Sequence, residues 1–154
     1  MARVYFLLLL TFLTTTLFAK EIAGVSDEVY QSRIASMSSN IELSWHPSVR
    51  PFIEQYLNNP EKLRELIGRS KYYFPLLEKS LKAKGLPGGL KYLAATASEL
   101  DPSAVSSNGA SGLWLMAYPV SKMYKLKVNT YIDERRDPVK ASLVAAQHFK
   151  DLYS

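Results

Sequence analysis

Apolar residues recur three and four positions apart along most of this 154-residue chain, which is the spacing of helices. Between residues 89 and 100 this spacing predicts one helix with an inward-facing stripe. The predicted stripe consists of Leu90, Leu93, Ala94, Ala97 and Leu100. The helix is expected to end at Asp101, because the residue before a proline, here Pro102, is pushed out of the α region. Similar patterns elsewhere predict further helices, so the expected fold class is all-α.

Two stretches before this helix carry their own start and stop signals. A short helix is predicted over residues 52–57, and Asn59 then caps a second helix that has Pro60 at its first position. The helical pattern continues through residues 71–84, where Gly85 is expected to end it. The inward face of that stretch is predicted to consist of Phe74, Leu77 and Leu81.

The C-terminal part shows two helical patterns joined by a charged turn. Residues 120–126 predict a short helix, and Asp137-Pro138 is expected to cap a longer one. The buried stripe of the longer helix is predicted to consist of Val139, Leu143, Ala146, Phe149 and Leu152. The turn from Asp133 to Arg136 is interpreted as solvated and salt-bridged, with a phosphate site as the alternative.

The chain around residues 101–115 is rich in turn-forming residues. Polar turn formers such as Ser106 and Asn108 precede the small-residue turn Gly109-Ala110-Ser111-Gly112, which runs into Leu113-Trp114. A helix end, a polar loop and a glycine turn leading to a tryptophan predict one wall of a cleft.

This stretch resembles the lytic transglycosylases of bacterial cell walls, which share the goose-type lysozyme fold and the approximate pattern E-S-x-[LF]-[ND]-P-x-A-x-S-x-x-G-A-x-G-L-W-Q. The matching residues are Ser98, Leu100, Asp101, Pro102, Ala104, Ser106, Gly109, Ala110, Gly112, Leu113 and Trp114. The segments Tyr72-Tyr73-Phe74 and Gly85-Leu86-Pro87 match the family too. The resemblance implies a partial lysozyme-like helical domain. It also implies substrate contacts by Ser98, Ser106, Gly109, Ala110, Gly112, Trp114 and Tyr124.

Two positions depart from the family pattern, and both concern chemistry. Ala97 stands where the resemblance implies the catalytic Glu, and Leu115 stands where it implies a Gln. In the family, that Glu protonates the bond between N-acetylmuramic acid and N-acetylglucosamine and then accepts a proton from the muramyl 6-hydroxyl, which gives a 1,6-anhydro product. Alanine cannot transfer a proton. Glu99 is the alternative acid, but two helical residues rotate its side chain by about 200°, away from position 97.

Residues 1–19 differ from the rest of the chain. Arg3 supplies a positive charge, residues 4–18 form an apolar run, and Ala19 is a small residue at which the segment can be cut. We interpret residues 1–19 as a signal peptide of a protein exported to the periplasm or cell envelope. An uncleaved membrane anchor is the alternative. Residues 20–46 follow as a lead-in with at most a short helix over 28–34, and residues 47–154 are expected to form the N-terminal part of a transglycosylase-like domain.

The amino-acid composition excludes few classes of binding partner. The net charge is +5, and without residues 1–19 the chain keeps 18 basic against 14 acidic residues. This excess suits anionic wall polymers, although it equally describes an ordinary soluble surface. No basic run with interleaved aromatics predicts nucleic-acid binding. No nearby carboxylates or cysteines complete a metal site with His46 or His148, so neither a metal nor another cofactor is expected.

The resemblance also implies further helices after Ser154, one with an Ala-Tyr-Asn-x-Gly motif. We therefore expect exposed inner helix faces, which a partner supplying those helices would cover. The predicted function is that of a degenerate transglycosylase-like domain, associated with peptidoglycan and with lost or strongly impaired cleavage. The alternatives are an active lytic transglycosylase and a docking module for a wall enzyme.

Overall fold

The structure, a computed structural model, describes residues 25–37 and 41–153. The described residues belong to two compact units, one with residues 25–37 and 43–47 and the other with residues 41–42 and 48–153. Helices dominate both units, and the described chain contains no β-strand beyond isolated bridges. The all-α prediction is therefore confirmed. The predicted signal peptide, residues 1–19, lies outside the described residues.

The described chain contains six α-helices and three short 3-10 turns. The helices are α1 (Asp27–Ala35), α2 (Arg50–Leu57), α3 (Pro60–Lys82), α4 (Lys91–Ser98), α5 (Tyr118–Met123) and α6 (Pro138–Tyr153). The turns are Pro47–Val49, Gly88–Leu90 and Glu134–Arg136. Among these helices, none combines the length and the apolar character that a membrane span needs.

The smaller unit is built on α1. Tyr30 of this helix is buried, and its ring stacks on Trp45 with 5.3 Å between the ring centroids. Within its described residues, the lead-in therefore contains one helix, close to the short helix predicted over residues 28–34.

Helix α3 follows its sequence signals closely. The Asn59 side chain accepts a hydrogen bond from the Lys62 backbone N–H at 3.1 Å, as expected of an N-cap. Pro75 lies inside this 23-residue helix, and Leu77 and Leu81 are fully buried on its inner side. Gly85 has a φ of 70° just after the helix, a conformation that favours glycine.

Helix α4 ends earlier than predicted. Glu99 and Leu100 have φ values of 55° and 58°, so the chain has left the helix two residues before the expected stop at Asp101. The Arg69 guanidinium donates to the Glu99 carbonyl at 3.1 Å, which supports this left-handed exit. A contact thirty residues away in sequence therefore contributes to the helix end more directly than Pro102 does.

The inner faces of α4 and α6 also differ from the predicted stripes. The buried residues are small: Ala94, Ala95 and Ser98 in α4, and Ala141, Ser142, Ala145 and Ala146 in α6. Five residues of the predicted stripes are exposed instead: Leu93, Ala97, Val139, Leu143 and Leu152. Small side chains allow α6 to pack closely against α3, its main neighbour among the helices. The larger apolar residues therefore lie on the outer sides of these helices.

The start of α5 is displaced from the prediction as well. This helix begins at Tyr118, two residues before the predicted Val120, because Pro119 fits the first helical turn. The cap predicted for α6 is confirmed, since the Asp137 carboxylate accepts from the backbone N–H groups of Val139 and Lys140 at 2.9 and 3.0 Å.

Trp114 joins the two apolar clusters of the larger unit. One cluster centres on Leu77, Ala94, Ala95, Leu100 and Leu113, and the other on Met116, Leu126 and Ala145. The Trp114 ring packs against both, so the loop that carries it is fixed between α3, α4 and α6.

Candidate functional site

The loop from Asp101 to Met116 is held largely by its own polar groups. The Asp101 carboxylate accepts from the Ser103 hydroxyl at 2.6 Å and from its backbone N–H at 2.8 Å, and these bonds lower the Asp101 pKa. The Ser106 hydroxyl accepts from the Ala110 N–H at 3.0 Å and also bonds the Asn108 carboxamide oxygen. These bonds within the loop therefore fix its conformation.

Two glycines in this loop have different constraints. Gly109 and Gly112 both have positive φ, 78° and 83°. A Cβ at Gly109 would meet nothing within 4 Å, whereas a Cβ at Gly112 would lie 1.9 Å from the Arg135 carbonyl oxygen. Gly112 is thus required both by its backbone conformation and by the close approach of the turn at Arg135.

Arg135 is buried beneath this loop, so the interpretation of the Asp133–Arg136 turn as solvated is wrong at this residue. Its guanidinium pairs with the Asp133 carboxylate through bonds of 2.9 and 2.7 Å. It also donates to the carbonyls of Gly109 at 2.9 Å and Met116 at 3.3 Å. The ion pair lowers the pKa of Asp133 and raises that of Arg135. Arg135 therefore connects the start of the glycine turn, at Gly109, and the end of the loop, at Met116, to the 3-10 turn that precedes α6.

Three of the predicted substrate-binding residues, Ser98, Ala110 and Gly112, are buried. The Ser98 hydroxyl lies 2.7 Å from the Leu113 carbonyl and 3.1 Å from that of Ala94, which ties α4 to the loop. These three residues therefore support the loop from the protein interior and do not face solvent. Gly109 is exposed and Ser106 is partly exposed, so the loop edge is formed by these two residues.

A groove of about 250 Å³ opens beside Trp114. The indole N–H donates to the Ser142 hydroxyl at 3.0 Å, and the Phe149 ring meets the indole edge-to-face at 5.5 Å. The indole therefore has its polar group occupied, so only its apolar surface remains for a ligand. The groove is lined by Trp114, Leu115, Met116, Ala117, Val120, Ala145, His148 and Phe149.

Tyr124 and His148 come together at this groove. The Tyr124 hydroxyl donates to the Asp151 carboxylate at 2.7 Å and lies 3.2 Å from His148 Nδ1. The bond to Asp151 raises the Tyr124 pKa and lowers that of Asp151. The sequence interpretation left His148 without a role. Its spacing of three residues from Ala145, a buried residue of the same helix, is the signal that places it beside the groove.

Position 97 offers no acid. Ala97 lies on the exposed face of α4, next to Leu93 on the same side. The Glu99 carboxylate pairs with the Lys62 ammonium at 2.5 Å, and this bond raises the Lys62 pKa. In the described residues, no three His, Asp or Glu side chains are grouped to hold a metal ion. The end of α4 therefore presents an apolar surface beside the loop rather than a proton donor.

Comparison with known families matches residues 75–154 to the transglycosylase SLT domain. The curated relatives include two proteins named membrane-bound lytic murein transglycosylase D, from Escherichia coli strain K12 and from strain O6:H1. Each is 32% identical over 98 residues, which cover 64% of this chain and 22% of the relative. The chain thus spans about a fifth of the length of these relatives.

Proposed function

Because this chain belongs to the transglycosylase SLT domain family, we propose that it binds the glycan strands of peptidoglycan without cleaving them appreciably. The relatives are named for murein and for transglycosylation. The loop carries the residues of the family pattern from Asp101 to Trp114, whereas Leu115 and Ala97 stand where the pattern has Gln and Glu. The loop that forms the cleft wall can therefore be present in a chain that lacks an acid at position 97.

The single observation that carries the absence of cleavage is the environment of Ala97 and Glu99. A general acid at neutral pH needs a raised pKa, which requires burial or a nearby negative charge. Ala97 has no ionisable group, and the Glu99 carboxylate is engaged by the Lys62 ammonium at 2.5 Å. Loss of a general acid typically reduces a rate by about 10²–10⁴-fold. For a poor sugar leaving group we place the effect at the upper end.

Binding has more support than cleavage. The groove beside Trp114 offers aromatic and aliphatic surface on which the apolar face of a sugar ring can rest. The interaction is expected to be weak, because the described groove is small and lacks charged side chains.

The test is incubation of the purified protein with murein sacculi. We expect the protein to co-sediment with sacculi and to release no 1,6-anhydro-muropeptides above a buffer blank. Release of these products by the unmodified chain would contradict the proposal. Failure to co-sediment would exclude the binding function.

The competing function is active transglycosylation with Glu99 as the acid. This function requires Glu99 to leave Lys62 and reach the glycosidic oxygen. Glu99→Gln would then abolish product release, whereas Glu54→Gln would not. Glu54 is a matched control, because its carboxylate is also paired, with Arg50 at 3.2 Å, and has a similar exposure.

We further propose that the protein is exported to the cell envelope. Arg3, the apolar run over residues 4–18 and Ala19 support cleavage after residue 19. The relatives' name, which describes them as membrane-bound, supports the same compartment. N-terminal sequencing of the protein from cells should begin near Lys20. Recovery of the full-length chain from the cytoplasm would contradict export.

A further inference from the structure

The groove beside Trp114 contains one side chain with a free hydrogen-bonding nitrogen. The other lining residues are apolar, apart from the Trp114 indole N–H, which is occupied by Ser142. His148 uses Nδ1 toward Tyr124, and within the described part of the chain its Nε2 has no hydrogen-bond partner. Leu115, where the family pattern has a Gln, adds no polar group on this side. His148 is therefore the residue able to orient a ligand in this groove.

The neighbours of His148 determine which hydrogen bond it can make. The Tyr124 hydroxyl has one proton, and it donates that proton to Asp151 at 2.7 Å. Its oxygen then accepts from His148, 3.2 Å away, so Nδ1 carries the proton. Asp151 is held in place by Gln147, which donates to its second oxygen at 2.6 Å. In the neutral ring, Nε2 is consequently an acceptor that requires a donor from the ligand.

We propose that His148 is a specificity-determining residue of this groove, whose Nε2 accepts a hydrogen bond from the acetamido N–H of an N-acetylated amino sugar. Tyr124 and Asp151 are positioning residues that set the tautomer of His148. The acetamido group fits this environment, because its methyl suits the apolar lining and its N–H supplies the donor. This inference rests on the proposed glycan binding and adds a ligand group to it.

The first test is a calorimetric titration of the full protein with the disaccharide of N-acetylglucosamine and N-acetylmuramic acid. His148→Phe keeps an aromatic ring against Tyr124 but removes the acceptor, and we expect about a three- to tenfold loss of affinity, the range of one hydrogen bond. His46→Phe is the matched control and should bind as the unmodified chain does. Equal affinity of His148→Phe and the unmodified chain would overturn the inference and leave the proposed function standing.

The second test reads the tautomer directly, without ligand. Nitrogen-15 NMR of the imidazole at a pH where the ring is neutral should show the Nδ1 proton on His148. Tyr124→Phe should shift this ring toward the other tautomer and lower the disaccharide affinity about twofold, while leaving the melting temperature nearly unchanged. A proton on Nε2 in the unmodified protein would overturn the inference. If the unmodified protein binds neither disaccharide nor sacculi, the proposed function itself fails.

Discussion

The loop over residues 101–116 and the exposed face of α4 lie on adjacent parts of the same family pattern and differ in what supports them. In the loop, Ser106, Gly112 and the Asp101 carboxylate each make contacts within the protein. On the face of α4, Leu93 and Ala97 are exposed, and neither side chain has a hydrogen-bonding group. The loop residues therefore contribute to the fold through their contacts, whereas the Ala97 side chain makes no polar contact.

This difference separates two kinds of residue that a sequence pattern lists together. A residue such as Gly112 is fixed by neighbouring atoms, so its loss would disturb the fold regardless of activity. A residue at position 97 touches little of the protein, so its identity can change without structural cost. A pattern match therefore demonstrates the scaffold more securely than it demonstrates catalysis.

The largest loss of stability is expected from a substitution at Gly112, where the loop lies closest to the turn at Arg135. Gly112→Ala places a methyl 1.9 Å from the Arg135 carbonyl oxygen at a φ of 83°, so the free energy of unfolding should fall by more than about 4 kcal/mol. Urea unfolding followed by circular dichroism measures this change. Gly68→Ala is the control. Because Gly68 lies inside α3 with open space around it, this substitution should stabilise the protein by about 0.5–1 kcal/mol. Comparable stability of the two variants would contradict the close approach.

The next effect concerns the ion pair beneath the loop. Arg135→Met removes the guanidinium that donates to the Asp133 carboxylate and to two loop carbonyls, and should cost about 3 kcal/mol of unfolding free energy. Arg64→Met is the control, since the Arg64 pair with Glu61 is exposed and should change stability by less than about 0.5 kcal/mol. A similar melting temperature for both variants would show that the buried pair is not a support of the loop.

The ion pair between Asp133 and Arg135 also determines how the stability of the protein changes at acid pH. The Asp133 pKa is lowered in the folded protein, so the stability that it contributes is present above the pKa of an unfolded aspartate and is lost as the pH falls through the folded value. Stability should therefore decrease below about pH 4, near the pKa of a free aspartate. Asp133→Asn should be less stable at neutral pH and show a shallower decline in acid, as measured by thermal unfolding over a pH series.

A smaller effect is expected at Ser98, which the sequence suggested as a substrate contact. Its hydroxyl lies 2.7 Å from the Leu113 carbonyl in a buried position, so Ser98→Ala should destabilise by about 1 kcal/mol. Sacculus binding by the folded variant should be unchanged. Ser70→Ala is the control, because the Ser70 hydroxyl bonds within an exposed part of α3. Loss of binding without loss of stability would restore the substrate role of Ser98.

The parts of the fold that the sequence predicted well depend on local signals. Asn59 with Pro60, Gly85, and Asp137 with Pro138 mark helix ends through their own backbone and side-chain preferences. Each acts within a few residues, so no knowledge of the tertiary structure was needed. The loop over residues 101–116 was likewise recognised from a dense pattern of turn residues.

The predictions from the sequence are wrong where contacts between residues far apart in the chain determine the structure. The stripe rule assigned Leu93 and Leu143 to the interior, but close helix packing selected small residues such as Ala94 and Ala145. Arg135 could not be recognised as buried, because its partners at Gly109 and Met116 are more than 18 residues away. His148 likewise meets Tyr124, which lies 24 residues away in sequence, so local signals do not reveal this contact.

The last prediction concerns a glutamate placed at position 97, on the exposed face of α4, where the family pattern has a glutamate. Ala97→Glu is expected to change the free energy of unfolding by less than about 0.5 kcal/mol, since the position is exposed. For the same reason its carboxyl should titrate near the ordinary value of about 4.3 and be ionised at neutral pH, where it cannot protonate a leaving group. Sacculi incubated with Ala97→Glu, or with Ala97→Glu combined with Leu115→Gln, should therefore release almost no anhydro-muropeptides at pH 7. NMR titration of the new carboxyl checks the cause. A strongly raised pKa together with product release would show that bound glycan buries this face and that the substituted protein is an active enzyme.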